Sequence, residues 1–201
     1  MTSNAGGQLL GRIIGCRGHT RYFFTPVDEG TGSSGMARKR NSPGTFVTIS
    51  GCDDSTERGE TLIGIIISNS LLSMDGFRAG GGGPMSGEDI GLFTPEVMSE
   101  ASLITEVRGI GSLNTLGEAV FGVPEYAPGY LNEVREIPEE LISSIHTKEG
   151  DLHLEYYPLL SEGADGQMRF ALKRAMGRLV EIIPEKKMIL SLLRAEIERP
   201  D

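Results

Sequence analysis

The sequence predicts an α+β fold: a Gly-rich, mainly antiparallel β portion over residues 1–122, then a mixed segment over residues 123–201 that ends in two helices. Three observations predict it. Of the 28 glycines, 23 lie in residues 1–122, so that part is rich in turns. Short β-branched or aromatic runs stand between those glycines. Beyond residue 138, apolar residues recur at helical spacing. The two portions read as one integrated unit.

The strands follow in order. Residues 9–14, 21–25, 45–50, 62–68 and 102–107 are each bounded by Gly, Pro, Asp or Ser, the residues that punctuate strands. The run over residues 60–74 fits either a strand or a buried helix, because periodicity cannot separate the two when nearly every position is apolar. In the second portion, Pro138-Glu139-Glu140 opens a helix, with proline in the first turn, carboxylates at the positive end of the dipole, and Leu141, Ile142 and Ile145 on one face. Residues 151–157 alternate as a strand, which places His153 on an outward face. Met168, Leu172, Ala175, Met176, Leu179 and Ile183 then mark a long helix. Pro184 interrupts it. A last helix follows, expected to turn Ile189, Leu192, Leu193 and Ile197 inward, with Lys186, Lys187 and Arg194 toward solvent. Met168, Met176 and Met188 are expected to fill the core.

Composition bounds the function. Hydrophobic residues at 38% and charged residues at 23% are ordinary globular values, and 201 residues suffice for a sizeable core. The strongly apolar run over residues 62–67 is far too short to span a bilayer, and residues 1–8 lack a basic-then-apolar signal pattern. The expectation is a soluble protein, cytoplasmic or otherwise intracellular, with no membrane partner. Net charge is −9, yet residues 1–50 hold six Lys/Arg against two Asp/Glu, leaving −13 for the remainder. A nucleic acid would meet net repulsion except at Arg38-Lys39-Arg40, so nucleic acid is not the partner expected. That cluster reads better as a solvated loop or a contact with an acidic neighbouring subunit. Cys16 and Cys52 with three scattered histidines match no metal spacing, so no metal site is predicted; Cys16 reads as a buried small hydrophobe and His19 as a surface residue. No Ser-His-Asp order is present.

Three Gly-rich segments, at residues 30–35, 80–84 and 108–111, could present converging backbone N–H groups to an anion. None has the ending of a P-loop. Taken in order, however, they resemble the deoxyuridine triphosphatase family over about residues 33 to 117. Ser34-Gly35-Met36-Ala37-Arg38-Lys39 resembles the family's phosphate-binding segment, and Gly51-Cys52-Asp53-Asp54 with Arg58-Gly59-Glu60, Gly64 and Asn69 resembles its uridine-pocket hairpin. Gly87-Glu88-Asp89-Ile90 is similar to a further segment, and Arg108-Gly109-Ile110-Gly111 with Asn114 to Gly117 resembles the closing arm. The resemblance implies Asp54 as the water-activating carboxylate, phosphate binding by Ser34, Gly35 and Arg108, base binding by Arg58 and Asn69, and magnesium as cofactor. Glu57 stands where the family has a tyrosine. Read from the residues alone, Asp53-Asp54-Ser55-Thr56 is turn chemistry between two strands.

The function expected is therefore a non-catalytic, self-associating or partner-binding protein without a cofactor, such as a homo-oligomer or a subunit of a larger assembly. The alternative is a nucleotide pyrophosphatase of the deoxyuridine triphosphatase type, or an inactive relic of one.

Overall fold

The computed structural model describes residues 7–27, 41–50, 61–72, 102–114 and 116–197. Nine strands are described: β1 (Leu9–Arg17), β2 (Arg21–Pro26), β3 (Phe46–Ser50), β4 (Thr61–Leu72), β5 (Ser102–Leu113), β6 (Ala119–Phe121), β7 (Glu133–Glu136), β8 (Thr147–Lys148) and β9 (Asp151–Leu152). The helices are α1 (Glu139–His146), α2 (Tyr156–Ser161), α3 (Gly166–Ile182) and α4 (Lys187–Ile197), with a 3-10 turn at Pro184–Lys186 between the last two. The five strands expected in the first portion are present, and the fold is mixed, with an antiparallel sheet and C-terminal helices.

The main sheet runs β2-β1-β7-β3-β4-β5-β6, and β2 also pairs with β5. That extra pairing closes six antiparallel strands into a barrel, with β6 attached outside the ring along β5. Closure removes the free edges that an open sheet of this size would present. Leu10, Ile13, Tyr22, Phe24, Val47, Ile49, Leu62, Ile66, Val107 and Val134, drawn from all six staves, form one buried cluster that fills the barrel. Its interior is side chain, not channel.

The alternate residues face the other way. Phe46 on β3, Ile63, Ile65 and Ile67 on β4, Ile110 and Leu113 on β5, and Phe121 on β6 build a second cluster with the helices. β4 is thus buried on both faces, which is why residues 62–67 are continuously apolar and why strand and helix could not be told apart in sequence. α3 contributes Met168, Ala171, Leu172, Ala175, Met176 and Leu179 to this cluster. Its N-terminus is capped by Asp165, whose carboxylate accepts from the Met168 N–H at 2.8 Å. Arg178 reaches Glu136 on β7 at 2.8 Å. At Gly44, φ is +85° and a Cβ would lie 2.6 Å from the Arg174 Cβ and 2.8 Å from the Ala171 carbonyl oxygen, so only glycine lets this turn pass so close to α3.

Four expectations need correction. Residues 151–157 are not one strand: Asp151–Leu152 pairs with Thr147–Lys148 across a turn with positive φ at Glu149 and Gly150, and α2 begins at Tyr156. Burial of Tyr156 and Tyr157 in the core outweighs the short alternating pattern. His153 is accordingly half-buried against Phe121, with ring centroids 5.0 Å apart, rather than outward. Cys16 is exposed. It lies beyond the last β1–β7 pair, Arg12 with Glu133, in the part of β1 that pairs with β2 among the described strands.

The fourth correction concerns α4. Leu190 is its fully buried residue, and Leu193 and Ile197 are half-buried against α3. Ile189 is 46% exposed, Leu192 65% and Met188 76%, so these three do not fill the core. The 3-10 turn after Ile182 sets the rotation of α4, and that rotation chooses the 190/193/197 stripe over its neighbour. Met168 and Met176 are buried as expected.

Candidate functional site

Two of the sequence-derived site residues fall within the described structure. Asp54, Ser34, Gly35 and Arg58 lie outside the described residues, as do Cys52, the Arg38-Lys39-Arg40 cluster and the Gly-rich segments at 30–35 and 80–84. The third Gly-rich segment, Arg108 to Gly111, is not a loop. It is the middle of β5, and its glycines answer a packing demand: a Cβ at Gly109 would lie 2.7 Å from the Tyr22 hydroxyl, and one at Gly111 would lie 2.3 Å from the Val120 carbonyl oxygen.

Arg108 stands opposite Arg21 on β2 and Ile65 on β4. Its Nη1 donates to Thr20 Oγ1 at 3.2 Å, while its Nε is buried without a hydrogen-bond partner among the described residues. Burial, and secondarily the neighbouring Arg21, hold the Arg108 guanidinium below the usual arginine value; Glu106 and Asp165 work in the opposite sense. Arg21 itself pairs with Glu106, Nε to Oε1 at 2.8 Å. Arg108 borders a cavity of about 270 Å³ between β5 and the α2–α3 turn, whose other walls include Leu160, Glu162, Asp165 and Met168. A single guanidinium facing two carboxylates suits a neutral acceptor, such as a water or carbonyl oxygen, better than a highly charged anion.

Asn69 lies elsewhere on the same strand pair, opposite Thr105. Its Nδ2 donates to the Asn41 carbonyl at 2.7 Å, and its Oδ1 accepts from Thr105 Oγ1 at 2.7 Å. Both polar atoms of the amide are therefore used in tying the segment before β3 to the β4–β5 pair. Asn69 does not line the Arg108 cavity, so the two residues do not converge there.

The polar group that sequence reasoning passed over is His146. It ends α1 and is fully buried between the barrel wall and the helices. Its Nδ1 lies 2.8 Å from the Ile142 carbonyl, which can only accept, so Nδ1 carries the proton. Nε2 is left with a lone pair and accepts the Tyr156 hydroxyl at 3.0 Å. Phe46 and Phe121 pack on the imidazole at centroid distances of 4.9 and 5.4 Å. Burial pushes the His146 pKa down to about 4, against the opposing pull of the Ile142 carbonyl, with nearby His153 adding to the fall. Burial holds the Tyr156 phenol well above its ordinary value. Neither ring titrates near neutral pH, and neither borders a described cavity, so the pair is a neutral internal link between α1 and α2. The sequence did carry a signal: position 146 continues the Ile142, Ile145 stripe of α1.

A second cavity, of about 380 Å³, opens between α2, α3 and α4 and is lined by residues including Tyr157, Arg169, Leu172, Glu196 and Ile197. Among the described residues no group of three His, Cys, Asp or Glu is placed to hold a metal ion, and no helix is long and apolar enough to cross a membrane. No protein-family model matches this chain, and no curated protein matches it.

Proposed function

We propose that the protein is a non-catalytic, self-associating component, a homo-oligomer or a subunit of a larger assembly. The observation that carries this reading is the display of large apolar side chains at two places on the fold: Met188, Ile189 and Leu192 on α4, and Leu116, Val120 and Val123 in and around β6. Scattered single exposures need no explanation, but grouped ones on a regular element mark surfaces that a partner covers. The charge division between a basic first quarter and an acidic remainder is in keeping with this reading. Light scattering is expected to return a mass above the 21.6 kDa of one chain, falling on dilution. A mass of one chain at every concentration, in low and high salt, removes this reading.

A second reading, a nucleotide pyrophosphatase of the deoxyuridine triphosphatase type or a relic of one, draws on Arg108, which borders a cavity and whose buried Nε has no hydrogen-bond partner among the described residues. If it holds, deoxyuridine triphosphate with magnesium raises the melting temperature by mass action, and Asp54→Asn abolishes turnover. No thermal shift at millimolar nucleotide leaves at most an inactive relic of that fold.

A further inference from the structure

We propose that the cavity bordered by Arg108 is a binding site for a free α-amino acid with an apolar side chain. The proposal goes beyond self-association and does not depend on it. What carries it is a set of opposite charges that share one cavity without meeting. Arg108 on β5 and the two acids of the α2–α3 turn, Glu162 and Asp165, line the same space of about 270 Å³. Arg108 nevertheless forms no ion pair with either carboxylate, and the Glu162 side chain has no ion-pair or hydrogen-bond partner among the described residues. Each wall is anchored on its own side. Arg108 Nη1 is tied to Thr20 Oγ1 at 3.2 Å, and Asp165 Oδ1 caps α3 by accepting the Met168 N–H at 2.8 Å. Gly163, with φ at +65°, makes the turn that carries both acids.

Charges held apart in this way are satisfied by a molecule that carries both signs. A carboxylate suits the guanidinium, whose Nη2 makes no hydrogen bond among the described residues. An ammonium suits Glu162 and the second oxygen of Asp165, which the helix cap leaves unused. An α-amino acid supplies both groups on one carbon atom. Simpler ligands are disfavoured, because a bare anion meets two carboxylates and a bare cation meets the guanidinium, whereas a zwitterion has no net charge. Buried Leu160 and Met168, with exposed Leu159, add an apolar wall on which a side chain can rest. The volume falls below the roughly 300–1,000 Å³ of sites for drug-sized ligands, so the occupant is a single small molecule. L-Leucine and L-methionine have that size and chemistry.

Saturation-transfer NMR titrations of the full chain test this directly. L-Leucine is expected to bind, while N-acetyl-L-leucine, which lacks the ammonium, and L-leucinamide, which lacks the carboxylate, should each bind about tenfold more weakly or worse. Glu162→Gln should weaken leucine by a similar factor with an unchanged circular dichroism melt, because its side chain is exposed and unpaired. Arg108→Met should act alike, and Glu162→Gln stands as the test if the arginine variant does not fold. Glu196→Gln should leave the affinity unchanged, since Glu196 lines only the neighbouring cavity, whose wall Glu162 shares. No transfer to leucine or methionine at millimolar concentration overturns the proposal. So does wild-type affinity in Glu162→Gln, and so does equal affinity for leucine and its two blocked derivatives. Binding lost in Glu196→Gln but kept in Arg108→Met overturns it as well, by moving the ligand to the other cavity.

Discussion

Leu172→Asp is expected to abolish the cooperative unfolding transition of the protein. Leu172 is fully buried in the middle of α3, in the cluster shared by the helices and the outer face of β3 to β6. Removing a buried leucine costs about 2–5 kcal/mol through lost contacts and the cavity left behind. An unpaired carboxylate in that apolar site adds a penalty of several kcal/mol more, against a typical total stability of about 5–15 kcal/mol. Leu172→Met keeps volume and chemistry and should cost less than about 1.5 kcal/mol. Truncation before Gln167 should act like the aspartate, because it uncovers Ile63, Ile65 and Ile67 at once. Thermal melts followed by near-UV circular dichroism distinguish the outcomes. If the truncated chain keeps a sharp transition, α3 and α4 form an arm rather than part of the core.

Acidification should weaken the protein through His146. Its ordinary pKa of 6.5 falls to about 4 in the fold, so below 6.5 the unfolded chain binds a proton that the native site refuses. The stability carried by the neutral ring is complete above pH 6.5 and is lost progressively as pH falls toward 4. The loss levels off below that, at about 3 kcal/mol in all. The groups facing the ring define the site: the Ile142 carbonyl from α1, the Tyr156 hydroxyl from α2, Phe46 and Phe121 from the sheet, and His153. His153 is itself held 3.1 Å from Glu155. His146→Gln stays neutral at every pH, so its urea midpoint should depend less on pH between 6.5 and 4 than the wild type's. Carboxylates titrate in both proteins and cancel in the difference. Equal slopes for the two proteins would show that His146 does not carry this dependence.

Local chemistry determined much of what this chain became. The five punctuated runs are strands because their side chains suit a pleated, half-buried surface; α1 and α3 were legible from helical spacing, α1 also from the residues at its start. Arg108 and Asn69 were singled out by motif order, but the motif says nothing of where a side chain points. The β4–β5 register set Asn69 beside Thr105, where Asn41 and Thr105 occupy it, and packing of the α2–α3 turn against β5 decided that Arg108 borders a cavity beside Asp165. Ring closure is a pairing between residues 21–24 and 105–108, too distant in sequence for any local pattern to encode. The same holds for β7, whose four residues follow the glycine-rich portion yet stand between β1 and β3 as a stave of the barrel. α4 shows the limit most plainly. Its composition supports two apolar stripes about equally, and a helical period alone cannot choose between them. Only the seating of Leu190 against α3 after the Pro184 turn fixed which stripe is buried, leaving Met188, Ile189 and Leu192 on the surface.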